Sequence, residues 1–156
     1  MRLNDTASQH GCVVVLGRLG ILILGESGSG KSELAARLVG HWQNGQSFAS
    51  WVADDRVYLS AHGKHIVARV PQPIAGLAEC RFSGIVPVKH LPTAIVDLAV
   101  CLHPTQELDR LPGPDWISLD ESAASVPIIR APRGDPNKAL ELVEVHIRSK
   151  TAHPAA

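Results

Sequence analysis

The hydrophobic pattern begins with two short apolar runs separated by turn residues. Cys12-Val13-Val14-Val15-Leu16 is largely β-branched, Gly17-Arg18-Leu19-Gly20 is a turn sequence, and Ile21-Leu22-Ile23-Leu24 is apolar again. This predicts a tight hairpin of buried strands. Residues 32–39 are good helix formers with Leu34, Leu38, Ala35 and Val39 on one face, and Gly40 is the expected stop. Residues 41–50 are polar and read as a loop, which lengthens the gap to a strand at Trp51-Val52-Ala53 ending in Asp54-Asp55. Residues 57–60 and 65–70 read as two strands around a turn, and Pro71-Gln72-Pro73 breaks the pattern. Further strands are expected at 85–88, at 95–102, where Asp97 is the one polar residue, and at 126–129. The Pro- and Gly-rich stretch 103–116 between them reads as a surface loop. The last element is a helix with Asp135 as N-cap, Pro136 at the first helical position and apolar Ala139, Leu142, Val143, Val145 and Ile147. Residues 151–156 read as a disordered tail.

Length and composition narrow the class. The 156 residues, 45% of them hydrophobic, suit one domain over 1–150 with a single sizeable core. A formal net charge of zero and a pI near 7.1 give no basic footprint for nucleic acid or an acidic membrane surface. No apolar run approaches the roughly 18 to 20 residues needed to cross a bilayer. The first ten residues lack the apolar stretch of a signal peptide, so a cytoplasmic location is expected. Cys12, Cys80 and Cys101 show no metal-ligand or disulfide spacing and read as core thiols of a reducing compartment.

The chemistry is concentrated in Gly25-Glu26-Ser27-Gly28-Ser29-Gly30-Lys31-Ser32, which fits G-x-x-x-x-G-K-[ST] with an apolar strand before it and a helix after it. In such a loop backbone N–H groups wrap nucleotide phosphates, glycines permit close approach, Lys31 reaches the outer phosphates and the Ser32 hydroxyl takes Mg²⁺. A base-reading Asn-Lys-x-Asp motif is absent, which disfavours a GTPase. A hairpin directly onto the phosphate-loop strand points to a mixed or antiparallel sheet. Asp54-Asp55 can divide labour, because adjacent side chains on an extended backbone point to opposite faces. One carboxylate could face the metal while the other accepts a hydroxyl proton. His10 precedes the first strand, and spacing alone leaves its role open, as it does for Glu79 and Arg81.

His10-Gly11-x-x-Val14, the loop 25–32, Val52-Ala53-Asp54-Asp55 and Glu79-x-Arg81-x-x-Gly84-Ile85 occur in the order and approximate spacing of the HPr kinase/phosphorylase family, which the chain resembles over nearly its whole length. The resemblance implies a short form holding the catalytic domain without the N-terminal domain of longer members. It also implies an α/β fold like that of phosphoenolpyruvate carboxykinase, with a mixed, largely antiparallel sheet and flanking helices. The implied activity is Mg-ATP-dependent phosphorylation of a serine on the HPr phosphocarrier protein, and removal of that phosphate by inorganic phosphate with release of pyrophosphate. On this carry-over His10, Lys31, Asp55 and Arg133 are catalytic, with Arg130 the alternative arginine. Gly25, Glu26, Ser27, Gly28, Ser29, Gly30, Lys31 and Ser32 bind ATP, and Ser32, Glu79 and Asp54 hold Mg²⁺. The implied partner is HPr, and the implied assembly is a homo-oligomer, a hexamer. Family members usually carry Gly where this chain has Phe82. A small-metabolite kinase on the same core and a non-catalytic nucleotide sensor are the competing readings.

Overall fold

The structure, a computed structural model, describes residues 1–3 and 8–152. Its elements in chain order are β1 (Arg2–Leu3), β2 (Gln9–His10), β3 (Cys12–Leu16), β4 (Leu19–Leu24), α1 (Lys31–Asn44), β5 (Ala49–Ala53), β6 (Arg56–His62) and β7 (His65–Arg69). They continue with β8 (Leu77–Cys80), β9 (Gly84–Pro87), β10 (Thr93–His103), β11 (Trp116–Leu119), β12 (Ser125–Pro132) and α2 (Pro136–Ala152).

The main sheet runs β1-β11-β12-β10-β4-β3-β5, with β2, β6 and β7 branching from it. Eleven residues long, β10 is its organiser. One of its edges is taken by β4 in parallel. The other is shared by β7, antiparallel along the first half, and β12, parallel along the second. A strand with three partners makes the sheet curl, and the pairing is mixed with antiparallel ladders in the majority, as the hairpin β3–β4 implies. Asp97, the polar residue inside the apolar run, sits where the β4–β10 register shifts. Its Oδ2 accepts the Gly20 N–H at 2.9 Å. A Cβ on Gly20 would lie 1.9 Å from the Ile95 carbonyl oxygen, so this crossing of strands requires glycine.

Both faces of β3 and β4 are covered, which explains why they read as continuous apolar runs rather than alternating ones. On one face Cys12, Val14, Ile21 and Ile23 pack with Leu34, Ala35 and Leu38 of α1 and Ala139 and Val143 of α2. On the other, Val13, Val15, Leu22 and Leu24 meet Val57, Leu59 and Ile66 of the curled branch and Ile117 and Leu119 of β11.

Several expectations need correction. Gly40 does not stop α1: the helix runs on to Asn44, and residues 41–44 are helical rather than looped. A glycine inside a helix costs only about 1 kcal/mol relative to alanine, and the packing of Trp42 against the core offsets it. The helix ends instead at Gly45, whose N–H bonds the His41 carbonyl. Strands β1, β2, β8 and β11 were not expected; with two to four residues each they are too short to read from the pattern. Thr151 and Ala152 belong to α2 rather than to a tail, and residues 153–156 lie outside the described residues. Cys80 is exposed, whereas Cys12 and Cys101 are buried.

Candidate functional site

The loop 25–30 leaves the buried end of β4 and turns into α1 through two left-handed glycines, Gly28 at φ 76° and Gly30 at φ 95°. L side chains disfavour that region, so the glycines make the reversal affordable. Lys31 opens the helix, 8% exposed, with Nζ donating to the carbonyls of Gly25 and Glu26, both at 2.9 Å. Two of its three N–H bonds therefore brace the loop, leaving one for a phosphate oxygen. Ser29 Oγ, tucked under Gly25, is buried with no hydrogen-bond partner among the described residues.

Asp54 follows β5 directly and faces the loop. It is 5% exposed, and both its oxygens accept hydrogen bonds from the protein. Oδ1 accepts from the Ser32 hydroxyl at 2.7 Å and the Cys12 thiol at 2.9 Å, and Oδ2 accepts the backbone N–H of Glu79 at 2.6 Å. Burial, reinforced by the neighbouring Asp54, pushes the Cys12 thiol well above its ordinary range, so it stays a proton donor. Cys12 was read as core only; no spacing signals it, because its role follows from the strand register that sets β3 beside β5.

Asp55 points the other way, its side chain 73% exposed. Its backbone is left-handed at φ 71°, closed by an Arg56 N–H to Asp54 carbonyl bond of 2.9 Å and held by Gly11 N–H on its own carbonyl. A non-glycine residue pays roughly 1–2 kcal/mol there, least for Asp and Asn. The His10 Nδ1 lies 3.8 Å from Asp55 Oδ1, and Arg56 Nη2 donates to His10 Nε2 at 3.2 Å. Because a guanidinium can only donate, this contact uses Nε2 as its acceptor, and Nδ1 is the ring nitrogen that faces Asp55. Arg56, not singled out from the sequence, thus joins the pair; its place directly after Asp54-Asp55 was the available signal.

Arg133 Nη1 is 3.3 Å from Glu26 Oε2, which sets it against the phosphate loop. Arg130 instead pairs with Asp115 at 2.5 Å. There the Trp116 N–H and the guanidinium hold the Asp115 carboxyl below the usual range. Glu79 is exposed on β8, beside Asp54 through its backbone. No three His, Cys, Asp or Glu side chains converge as a metal cluster among the described residues. Ser32, Asp54 and Glu79 nevertheless supply oxygen donors of the kind Mg²⁺ takes from proteins in ones and twos. With the partnerless Ser29 hydroxyl, they fit a magnesium-bound phosphate chain.

Fold and loop define a class: α/β domains in which a G-x-x-x-x-G-K-S loop joins a buried strand to a helix and faces a carboxylate just past the end of the next strand. Within it, the family model described as HPr Serine kinase C-terminal domain matches residues 1–148, and the chain belongs to that family, a family of kinases. The chain is 37% identical over 123 residues to the HPr kinase/phosphorylase of Limosilactobacillus reuteri, covering 70% of this chain and 36% of the relative. To that of Geobacter sulfurreducens it is 32% identical over 163 residues, covering 95% and 48%. The chain thus spans between about a third and a half of these relatives' length. A solved structure of the HPr(Ser) kinase/phosphatase from Coxiella burnetii superimposes with a TM-score of 0.74 at 23% identity, covering 94% of this chain and 99% of that one, so the two share a fold. No helix among the described residues is long and apolar enough to cross a membrane.

Proposed function

We propose that the protein transfers the γ-phosphoryl group of ATP to a serine of an HPr-type phosphocarrier protein, and reverses the transfer with inorganic phosphate. The observation that carries this reading is the opposed pair on one strand end: Asp54 buried against Ser32 of the phosphate loop, Asp55 exposed beside His10. Phosphoryl transfer needs positioning and charge stabilisation more than covalent catalysis, and this arrangement supplies both. Mg²⁺, when bound, neutralises charge on the transferring phosphates, with Ser32, Asp54 and Glu79 to hold it.

In the forward direction Lys31 and the loop N–H groups fix the phosphate chain. The serine oxygen attacks the γ-phosphorus as the bond to the β-bridging oxygen breaks, and its proton passes to an Asp55 carboxylate oxygen. In reverse an oxygen of inorganic phosphate attacks the phosphoserine phosphorus. The serine oxygen departs with the proton from Asp55, and pyrophosphate is released. Arg133, at the loop edge against exposed Glu26, supplies positive charge to the oxygens of the transferred group. The protein acts in the cytoplasm.

The test is intact-mass spectrometry of purified HPr incubated with this protein and Mg-ATP, followed by inorganic phosphate with a pyrophosphate assay. One phosphoryl group gained on serine and then lost with pyrophosphate release is expected. Nucleotide binding without transfer would overturn the reading.

A further inference from the structure

The hairpin β8–β9 carries, beside Glu79, apolar side chains that the transfer chemistry does not use. Its strands pair Glu79 with Ile85 and Leu77 with Pro87, so these four side chains share one face, while Ala78 packs into the core from the other. Ile85 is 65% exposed and Leu77 is also exposed. The loop between the strands is Arg81-Phe82-Ser83, closed by a Ser83 N–H to Cys80 carbonyl bond of 2.9 Å. Phe82 occupies the third position of that turn at φ 67°, where glycine is the favoured residue, and it is 98% exposed. The Arg81 guanidinium lies 5.4 Å from its ring centroid and makes no ion pair among the described residues. An aromatic ring held in a disfavoured backbone conformation, wholly in water, contributes nothing to the core.

We propose that Phe82, with Ile85 and Leu77, anchors the protein that presents the phosphoacceptor serine. The identity of this occupant rests on the proposed function; its position rests on the register. Ile85 is the cross-strand neighbour of Glu79, whose N–H caps Asp54 on the residue before Asp55. A macromolecule whose hydroxyl reaches Asp55 lays its flanking surface over this face, whereas a small metabolite would not extend to the tip. The surface that fits is an apolar patch with a carboxylate at its rim, meeting Phe82 and the unpaired cation of Arg81. Exposed aromatics of this kind are the residues that dominate protein interfaces.

Phe82→Gly tests the idea cleanly, because it removes the ring and relieves the backbone together. Binding of isolated HPr, measured by titration calorimetry without nucleotide, should weaken at least 10-fold. Ile85→Ser should weaken it several-fold. The melting temperature of Phe82→Gly should be unchanged or raised by roughly 2–4 °C, and ATP affinity should be unaltered. Equal HPr affinity in wild type and Phe82→Gly, or no HPr binding by the wild type, overturns the proposal. Dissociation of an oligomer by Phe82→Gly with HPr affinity intact assigns the patch to a second copy of the chain and also overturns it. HPr binding that Phe82→Gly abolishes, in a protein that transfers no phosphate, upholds the docking surface while refuting the kinase reading.

Discussion

The two sides of the site differ in how finished they are. On the phosphate-loop side Lys31, Ser32, Cys12 and Asp54 are buried or half-buried, and each polar atom of Asp54 has its donor. On the acceptor side His10, Asp55, Arg56, Phe82 and Ile85 stand in solvent, two of them in left-handed backbone. Preorganised dipoles stabilise charge best where water is excluded and reorganisation is small, and the half proposed to meet phosphate is already held in place by the protein's own hydrogen bonds. The other half is completed by whatever brings the hydroxyl. Asp54 and Asp55, adjacent in sequence, fall on opposite sides of this division because the chain reverses between them.

Substituting each aspartate should expose the difference. Asp55→Asn leaves the backbone comfortable, since Asn tolerates positive φ, and strands no buried donor. Its stability should match the wild type, while transfer in both directions falls by about 10² to 10⁴-fold through loss of the proton acceptor. Full turnover in Asp55→Asn would move the acid/base role elsewhere and collapse the comparison. Asp54→Ala, in contrast, leaves the Ser32 hydroxyl, the Cys12 thiol and the Glu79 N–H facing an empty space. It should cost about 2–4 kcal/mol in denaturant unfolding, because unsatisfied buried donors are expensive. A variant as stable as the wild type would show that the loop side is not held by this carboxylate.

The same division decides what could be read from the sequence. The β3–β4 hairpin, the phosphate loop and the run of β10 were legible because each rests on local pattern: paired apolar runs around a turn, glycines at fixed spacing, and a long apolar run broken only by Asp97. The short strand Leu77–Cys80 was not, because an exposed face of Leu77 and Glu79 with only Ala78 buried lacks a readable alternation. Gly40 misled in the opposite direction, since tertiary packing of Trp42 overrides a local stop. Cys12 and Arg56 were missed for a third reason. A thiol on a buried strand and a guanidinium after an acidic pair acquire their roles only when strand register brings Cys12 to Asp54 and His10 opposite Arg56. The resemblance singled out His10, Asp55 and Arg133 as candidates; the direction each one faces came from the fold.

The smallest effect lies away from the site, on α2, and separates stability from chemistry. Burial, with the Lys150 charge one turn on, lowers the His146 pKa below its ordinary value near 6.5, and its Nε2 is buried with no hydrogen-bond partner among the described residues. Above pH about 6.5 the ring is neutral in both folded and unfolded chains and contributes no pH dependence. As the pH falls below that value the unfolded chain takes up the proton first, so stability is lost progressively until the pH reaches the lower folded value. Replacing the ring by His146→Gln should therefore flatten the decline of melting temperature below pH about 6.5 while leaving it unchanged at pH 8. Because His146 sits on α2 and shares no contact with Asp54 or Asp55, the rate of phosphoryl transfer at pH 8 should also be unchanged. A slower transfer at that pH would mean that α2 reaches Asp54 and Asp55, and that the boundary between the finished and the open half lies deeper in the fold than the hydrogen bonds of Asp54 indicate.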